Sequence, residues 1–186
     1  HFSPYQVGAL RVLISGVFLS PIAILNRKKF PKKQIKWLML AAFAGNFIPM
    51  FLFPIAETKV SSSIAGIMNS MMPIFTIIVG ALFWKTKTTS RQILGILISF
   101  SGVVLLMISG EKSAETPIFY VGLLLFAAFL YAVSVTTVGA KLTHIPAKMM
   151  SSFVFFYVLF LPSLISLYFS NFFNEFTFTK ENMIGL

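Results

Sequence analysis

Cysteine is missing from this chain, histidine occurs twice, and the 186 residues include only five acids. Without cysteine there is no disulfide, no thiolate nucleophile and no sulfur-ligated metal. His1 at the chain start and His144 in a polar gap are too few to hold a metal. No acid–base pair, phosphate-binding glycine loop or dinucleotide motif is present, so no cofactor is expected. Only 11% of residues are charged, far below the share in soluble domains. What fills the chain instead is apolar, 57% of it. A water-soluble fold of this length could not hide that much apolar surface, so lipid is the expected solvent.

The few charges are ordered. Every acid lies between apolar runs, in one alternate set of gaps: Glu57–Lys59, Glu111–Glu115 and Glu175–Glu181. The other gaps are basic: Arg27–Lys36, Lys85–Arg91 and Lys141–Lys148. Short basic loops stay in the cytoplasm, which places the second set inside and the first outside. The net charge of +10 is confined to loops beside apolar spans, so no nucleic acid is expected as a partner. Anionic inner-leaflet lipid suits Arg27–Lys36 better.

Six apolar runs are long enough to cross a bilayer as helices: a (Pro4–Leu25), b (Trp37–Ala56), c (Ser62–Trp84), d (Gln92–Ser109), e (Ile118–Ala140) and f (Met149–Phe169). Unpaired backbone groups in hydrocarbon force them to be helical despite their Phe and Ile content. The fold class is therefore an all-α polytopic membrane protein with six transmembrane helices. Two short matches, Ser3-Pro4 with Ile145-Pro146 and Phe18–Ile22 with Phe160–Leu164, share one offset (146 − 4 and 160 − 18, both 142). Spans a and f run in opposite directions, so a repeat at that offset is inverted, the usual build of secondary transporters.

These residues resemble the EamA-type members of the drug/metabolite transporter superfamily. Span a carries Pro4-x6-Arg11 followed by Ser15-Gly16. Span c carries Ser63-Ile64-Ala65-Gly66, then Met72-Pro73-Ile74-Phe75. Span d carries Arg91-Gln92-Ile93-Leu94-Gly95, then Ser101-Gly102-Val103. The resemblance implies a ten-helix transporter of two inverted five-helix repeats, of which this chain supplies helices two to seven. Residues 1–110 would be a first repeat lacking its first helix, and 117–186 the truncated start of the second. Met183-Ile184-Gly185-Leu186 reads as the opening of another apolar segment, and the native length expected is about 285 residues, two units of the offset. One departure stands out. The family often has Gly-Glu between helices four and five, where this chain has Lys85-Thr86.

Candidate substrate contacts come from span chemistry. On c, Ser62, Gly66, Asn69, Pro73, Thr76 and Gly80 recur at steps of three or four, so they form one stripe. Pro73 has no N–H and frees the carbonyl of Asn69. On b, Asn46, Pro49 and Phe53 share a face, and the prolines Pro49 and Pro54 predict a bent half. On e, Tyr120, Tyr131 and Ser134 share a face. For Asn46, Asn69, Pro73, Thr76, Tyr131 and Ser134, a solute-lined cavity and plain helix packing are both open readings. Gly95, Ser99 and Gly102 on d predict a packing face. Arg11, the ionisable side chain well inside a span, is read as structural, with gating or anion attraction as the alternative. The 22 Phe and nine Met residues either line a cavity for aromatic solutes or simply meet lipid.

The function expected is a secondary transporter or exporter of small organic metabolites or drugs in the plasma membrane, working by alternating access. The alternative, an intramembrane enzyme, needs acid–base or metal residues at membrane depth, which these spans lack and the missing helices would have to supply. A noncatalytic assembly subunit would not need the polar stripe on c. A protein of only six or seven spans would instead be a half-sized carrier acting as a homodimer.

Overall fold

The computed structural model describes residues 3–30, 32–109 and 117–170. Every regular element among them is helical. Span a is α1 (Pro4–Leu25). Span b is α2 (Ile35–Ala42), a π turn at Phe43–Phe47 and α3 (Pro49–Glu57). Span c is α4 (Ser62–Asn69) and α5 (Met72–Trp84), and span d is α6 (Ser90–Ser109). Span e is α7 (Ile118–Thr137) ending in a π turn at Val138–Leu142. Span f is α8 (Ala147–Ser152), a π turn at Phe153–Val158 and α9 (Phe160–Phe169). Among the described residues four helices are long and apolar enough to cross a membrane: Gln6–Leu25, Lys32–Glu57, Ser63–Trp84 and Ile118–Leu142. A fifth qualifies if the halves of span f, bent by 41°, count as one. The acidic gaps Glu111–Glu115 and Glu175–Glu181 lie outside the described residues.

Prolines explain where these helices break. A proline cannot donate to the carbonyl four residues back. For Pro49 that carbonyl belongs to Gly45, inside the first π turn. For Pro146 it belongs to Leu142, and for Pro162 to Val158, each the last residue of a π turn. For Pro73 it belongs to Asn69, where α4 ends. Pro54 lies inside α3 without such a break. Pro21 shows what prevents one: the Ser20 hydroxyl donates to the orphaned Val17 carbonyl at 2.7 Å, and α1 runs unbroken through it. Span f has Leu161 before its proline and no hydroxyl to do the same. Ser20→Ala is therefore expected to leave the Val17 carbonyl unpaired and to lower the stability of the detergent-solubilised protein by about 1 kcal/mol. An unchanged thermal melt would contradict this reading of α1.

The chain forms two compact units, residues 1–43 with 141–186 and residues 44–140. In the first, α1 packs along α8, the π turn of span f and α9. Ser3 caps α1, its hydroxyl accepting from the Gln6 N–H, while Gln6 Oε1 accepts from the Ser3 N–H at 2.9 Å. The Gln6 amide also donates to the Ser170 carbonyl at 3.1 Å, tying one end of α1 to the end of span f. At the other end the Tyr157 hydroxyl donates to the Ala23 carbonyl at 3.3 Å. Between them Ala9, Leu13 and Leu167 form a small core with Leu10 and Phe160. Phe30 returns over Phe153 and Tyr157, edge to face, at 5.2 and 5.4 Å between ring centroids.

In the second unit α7 packs against α3, α4 and α5. Its contact face is small, with Ala127, Ala128 and Ala132 fully buried, which lets backbones approach in place of a hydrophobic driving force. Leu124 joins Ala56, Val60 and Ala65 in the core, and Phe75 meets Phe129 edge to face at 5.9 Å. Large apolar side chains point outward in both units. Phe18 is 79% exposed, Leu82 72% and Phe169 81%, an exterior suited to lipid and not to water.

Candidate substrate site

Asn46 stands half-buried within the π turn Phe43–Phe47, midway along the helix Lys32–Glu57. The turn exists because Pro49 withdraws one donor and because Gly45 allows a close approach. A Cβ on Gly45 would come 2.7 Å from the Ser134 Cβ, nearer than side chains tolerate. Ser134 is 8% exposed, so span b presses its widened backbone directly onto span e here. One turn earlier on α7, Tyr131 is half-buried and its ring lies 6.0 Å from that of Phe53, tilted by 46°. The structure thus sets Gly45 against Ser134 and Phe53 against Tyr131 along the b–e contact, with Asn46 next to Gly45 in the chain and Pro49 buried in α3.

The stripe on span c divides. Gly66, Asn69 and Pro73 are exposed, and a Cβ on Gly66 would meet nothing within 4 Å. Among the described residues the Asn69 carboxamide has no hydrogen-bond partner. Thr76 is half-buried and its hydroxyl donates to the Met72 carbonyl at 2.8 Å, which leaves only its lone pairs for a solute. Gly80 is buried, packed against Thr86 and Thr136. Arg11 is exposed on α1 and has no ion pair among the described residues. Gly95 and Gly102 face open space on α6, so the packing surface read there has no occupant among the described residues. The side chains of Ser62 and Ser99 are not described.

Two close approaches escaped the sequence reading. Besides Gly45, Gly16 sits where a Cβ would meet the Phe155 carbonyl and the Phe160 ring, both at 3.0 Å. The signal was available for Gly45, a glycine four residues before a proline. Chemically, the region offers amides, hydroxyls, a phenol and aromatic faces. The one described carboxylate, Glu57, is at the end of α3. Such a set can hold a polar group and an apolar body by hydrogen bonding and packing, the usual chemistry of a solute pocket.

The profile of the EamA-like transporter family matches residues 1–108. The chain belongs to that family. An uncharacterized transporter of Archaeoglobus fulgidus is 32% identical over 104 residues, 56% of this chain and 37% of the relative. YdfC, an uncharacterized transporter of Bacillus subtilis, is 30% identical over 106 residues, 56% of this chain and 35% of the relative. PagO of Salmonella typhimurium is 27% identical over 137 residues, 72% of this chain and 45% of that protein. The chain thus matches less than half the length of these curated relatives. No solved structure matches. This EamA protein is an integral, multi-pass membrane protein. Its Lys85, at the position where the resemblance leads one to expect glycine, ends α5 in the left-handed conformation at φ 52°. That backbone favours glycine, and here a lysine adopts it.

Proposed function

We propose that this EamA protein moves small organic solutes across the plasma membrane as a secondary exporter, by alternating access, and is not an enzyme. One observation carries the reading. Both places where the chain passes between its two compact units fall inside π turns, Phe43–Phe47 and Val138–Leu142. Irregular backbone at membrane depth is tolerated where protein or a cavity covers it, and such turns gather at functional sites. Two bundles joined through irregular helix segments are what a rocking transporter needs. The first of these turns carries Asn46. In this reading Asn46, Tyr131 and Ser134 line one side of the solute path, and Asn69, Pro73 and Thr76 line another. Pro49 shapes the turn. Arg11 has a structural role, and Gly95 and Gly102 receive a neighbouring helix.

The six helical segments fit helices two to seven of an inverted ten-helix repeat. The pairing of α1 with α8 and α9 supports it, since spans a and f are the two that the offset relates. A relative in which 104 residues make up 37% of the length is itself about 280 residues long, close to two such units. The orientation has a simple test. Cysteines placed singly at Lys32 and Lys59 in a cysteine-free background are treated with an impermeant maleimide on intact cells. Labelling at 59 and protection at 32 is expected, and the reverse would invert the topology.

A further inference from the structure

Span f holds a hydroxyl that its surroundings leave unsatisfied. Ser163 is fully buried in α9, and its Oγ has no hydrogen-bond partner among the described residues. Other hydroxyls in these helices turn back onto a carbonyl of their own helix. Those of Thr76, Ser101, Thr136 and Thr137 reach the residue four back at 2.7 to 2.8 Å. For Ser163 that residue is Leu159, where span f bends by 41°. Leu159 stands at φ −96° and ψ −17°, and its carbonyl accepts the Ser163 N–H at 3.0 Å but not the hydroxyl. The 142-residue offset sets Ser20-Pro21 against Pro162-Ser163, the same two residues in reverse order. In α1 the serine comes first and serves the carbonyl that the proline strands. In span f it comes second, and Pro162 leaves the Val158 carbonyl without its helical donor.

Little holds α9 in its bent position. Its core against α1 is Ala9, Leu13 and Leu167 with Leu10 and Phe160. Lipid tails solvate such side chains as well as a neighbouring helix does, so parting them carries no hydrophobic cost. The end of α9 is tied to α1 by the Gln6 amide, which donates to the Ser170 carbonyl at 3.1 Å. One hydrogen bond between membrane helices favours the tied state about threefold. The unpaired Ser163 hydroxyl opposes the bent state by about five- to hundredfold. The part of span f before Leu159 is held more firmly. There the Tyr157 hydroxyl donates to the Ala23 carbonyl, and the Phe155 carbonyl comes within 3.0 Å of a Cβ built on Gly16.

We propose that span f is a two-state hinge at Leu159–Ser163. In one state α9 is bent, Gln6 is latched to Ser170 and the Ser163 hydroxyl is unpaired. In the other the helix is unbroken, the latch is open and the hydroxyl donates to the Leu159 carbonyl. α1 and α3 run unbroken through Pro21 and Pro54, so a proline does not forbid the second state. Undoing the 41° bend carries the end of the ten-residue α9 about 10 Å away from Gln6. By the charge alternation this end faces outside, so the movement opens the outer end of the first unit. The hinge belongs to this unit alone and stands independently of any transported solute.

The test is a spin-label distance measurement on the full-length protein in lipid nanodiscs, in a cysteine-free background. Nitroxides are attached through single cysteines replacing Ile14 and Phe169, which are 45% and 81% exposed. Two separations are expected, the longer by up to about 10 Å. Ser163→Ala removes the hydroxyl that penalises the bent state, and should raise the ratio of short to long at least about fivefold. Gln6→Glu keeps the acceptor for the Ser3 N–H but deletes the donor to Ser170, and should lower that ratio about threefold. Pro162→Ala gives the Val158 carbonyl its donor back and should also lower the ratio. The variants move the ratio in opposite directions, so a general loss of structure cannot imitate the pattern, and thermal melts identify the folded ones. One separation shared by all four proteins would overturn the hinge. A ratio that Ser163→Ala leaves unmoved would also overturn it, because the hydroxyl would then find Leu159 without any movement of α9.

Discussion

Asn69→Ala is expected to lower solute flux five- to hundredfold in reconstituted vesicles while leaving the thermal melt unchanged. The carboxamide is exposed and hydrogen-bonded to nothing among the described residues. Removing it takes away no hydrogen bond among the described residues. A lost interhelical hydrogen bond in a membrane costs only ~0.6 kcal/mol on average. A lost hydrogen bond to a bound solute costs ~1–3 kcal/mol, which is the five- to hundredfold range. Ile78→Ala is the matched control, since Ile78 is 46% exposed on the same span. It should transport normally. Flux is read as counterflow of a panel of labelled small organic metabolites at equal protein content. A destabilised Asn69→Ala, or one with unaltered flux, would make Asn69 a packing residue and move the solute path elsewhere.

The second large effect lies at the close approach of spans b and e. Gly45→Ala should destabilise the protein by roughly 1–3 kcal/mol and abolish most transport. The added methyl would stand 2.7 Å from the Ser134 Cβ, inside any distance that side chains adopt. Either the π turn straightens or the two spans separate. Both alter the turn that carries Asn46. Ser134→Gly alone should be mild, and combined with Gly45→Ala it should restore most of the stability, because the pair then carries one Cβ in place of two. A double-mutant cycle measures that coupling. Additive effects of the two substitutions would mean that they do not meet.

These two sites also mark what the sequence could tell. Apolar run lengths placed every helical segment to within a few residues, because a bilayer tolerates few alternatives to a helix of that length. Charge alternation and the span motifs were enough to reach the family. The π turns were not foreseen. Their cause was in plain view, since Pro49, Pro146 and Pro162 each leave a carbonyl four residues back without its helical N–H donor, but the opposing signal needed a second residue. Ser20 serves the Val17 carbonyl and Leu161 has no hydroxyl for Val158, yet α3 runs unbroken through Pro54 after Phe53, so the preceding residue alone does not decide whether a proline bends a helix. The stripe read on span c falls on two helices, α4 and α5, and a single chain does not say what covers a face. Asn69 and Pro73 are open while Gly80 is packed, although all three share the same periodicity. The Gly45–Ser134 approach joins residues almost ninety positions apart, beyond the reach of any local pattern.

The central claim is that Asn46 lies on a solute path opened alternately to the two sides of the membrane. It is tested most directly by a single cysteine at position 46 in a cysteine-free background. An impermeant maleimide is applied from outside to spheroplasts and from inside to inverted vesicles. The account predicts labelling from both sides, with Gly45→Ala suppressing at least one of them. Labelling from neither side would make Asn46 a buried packing residue, and labelling from one side alone would contradict alternating access.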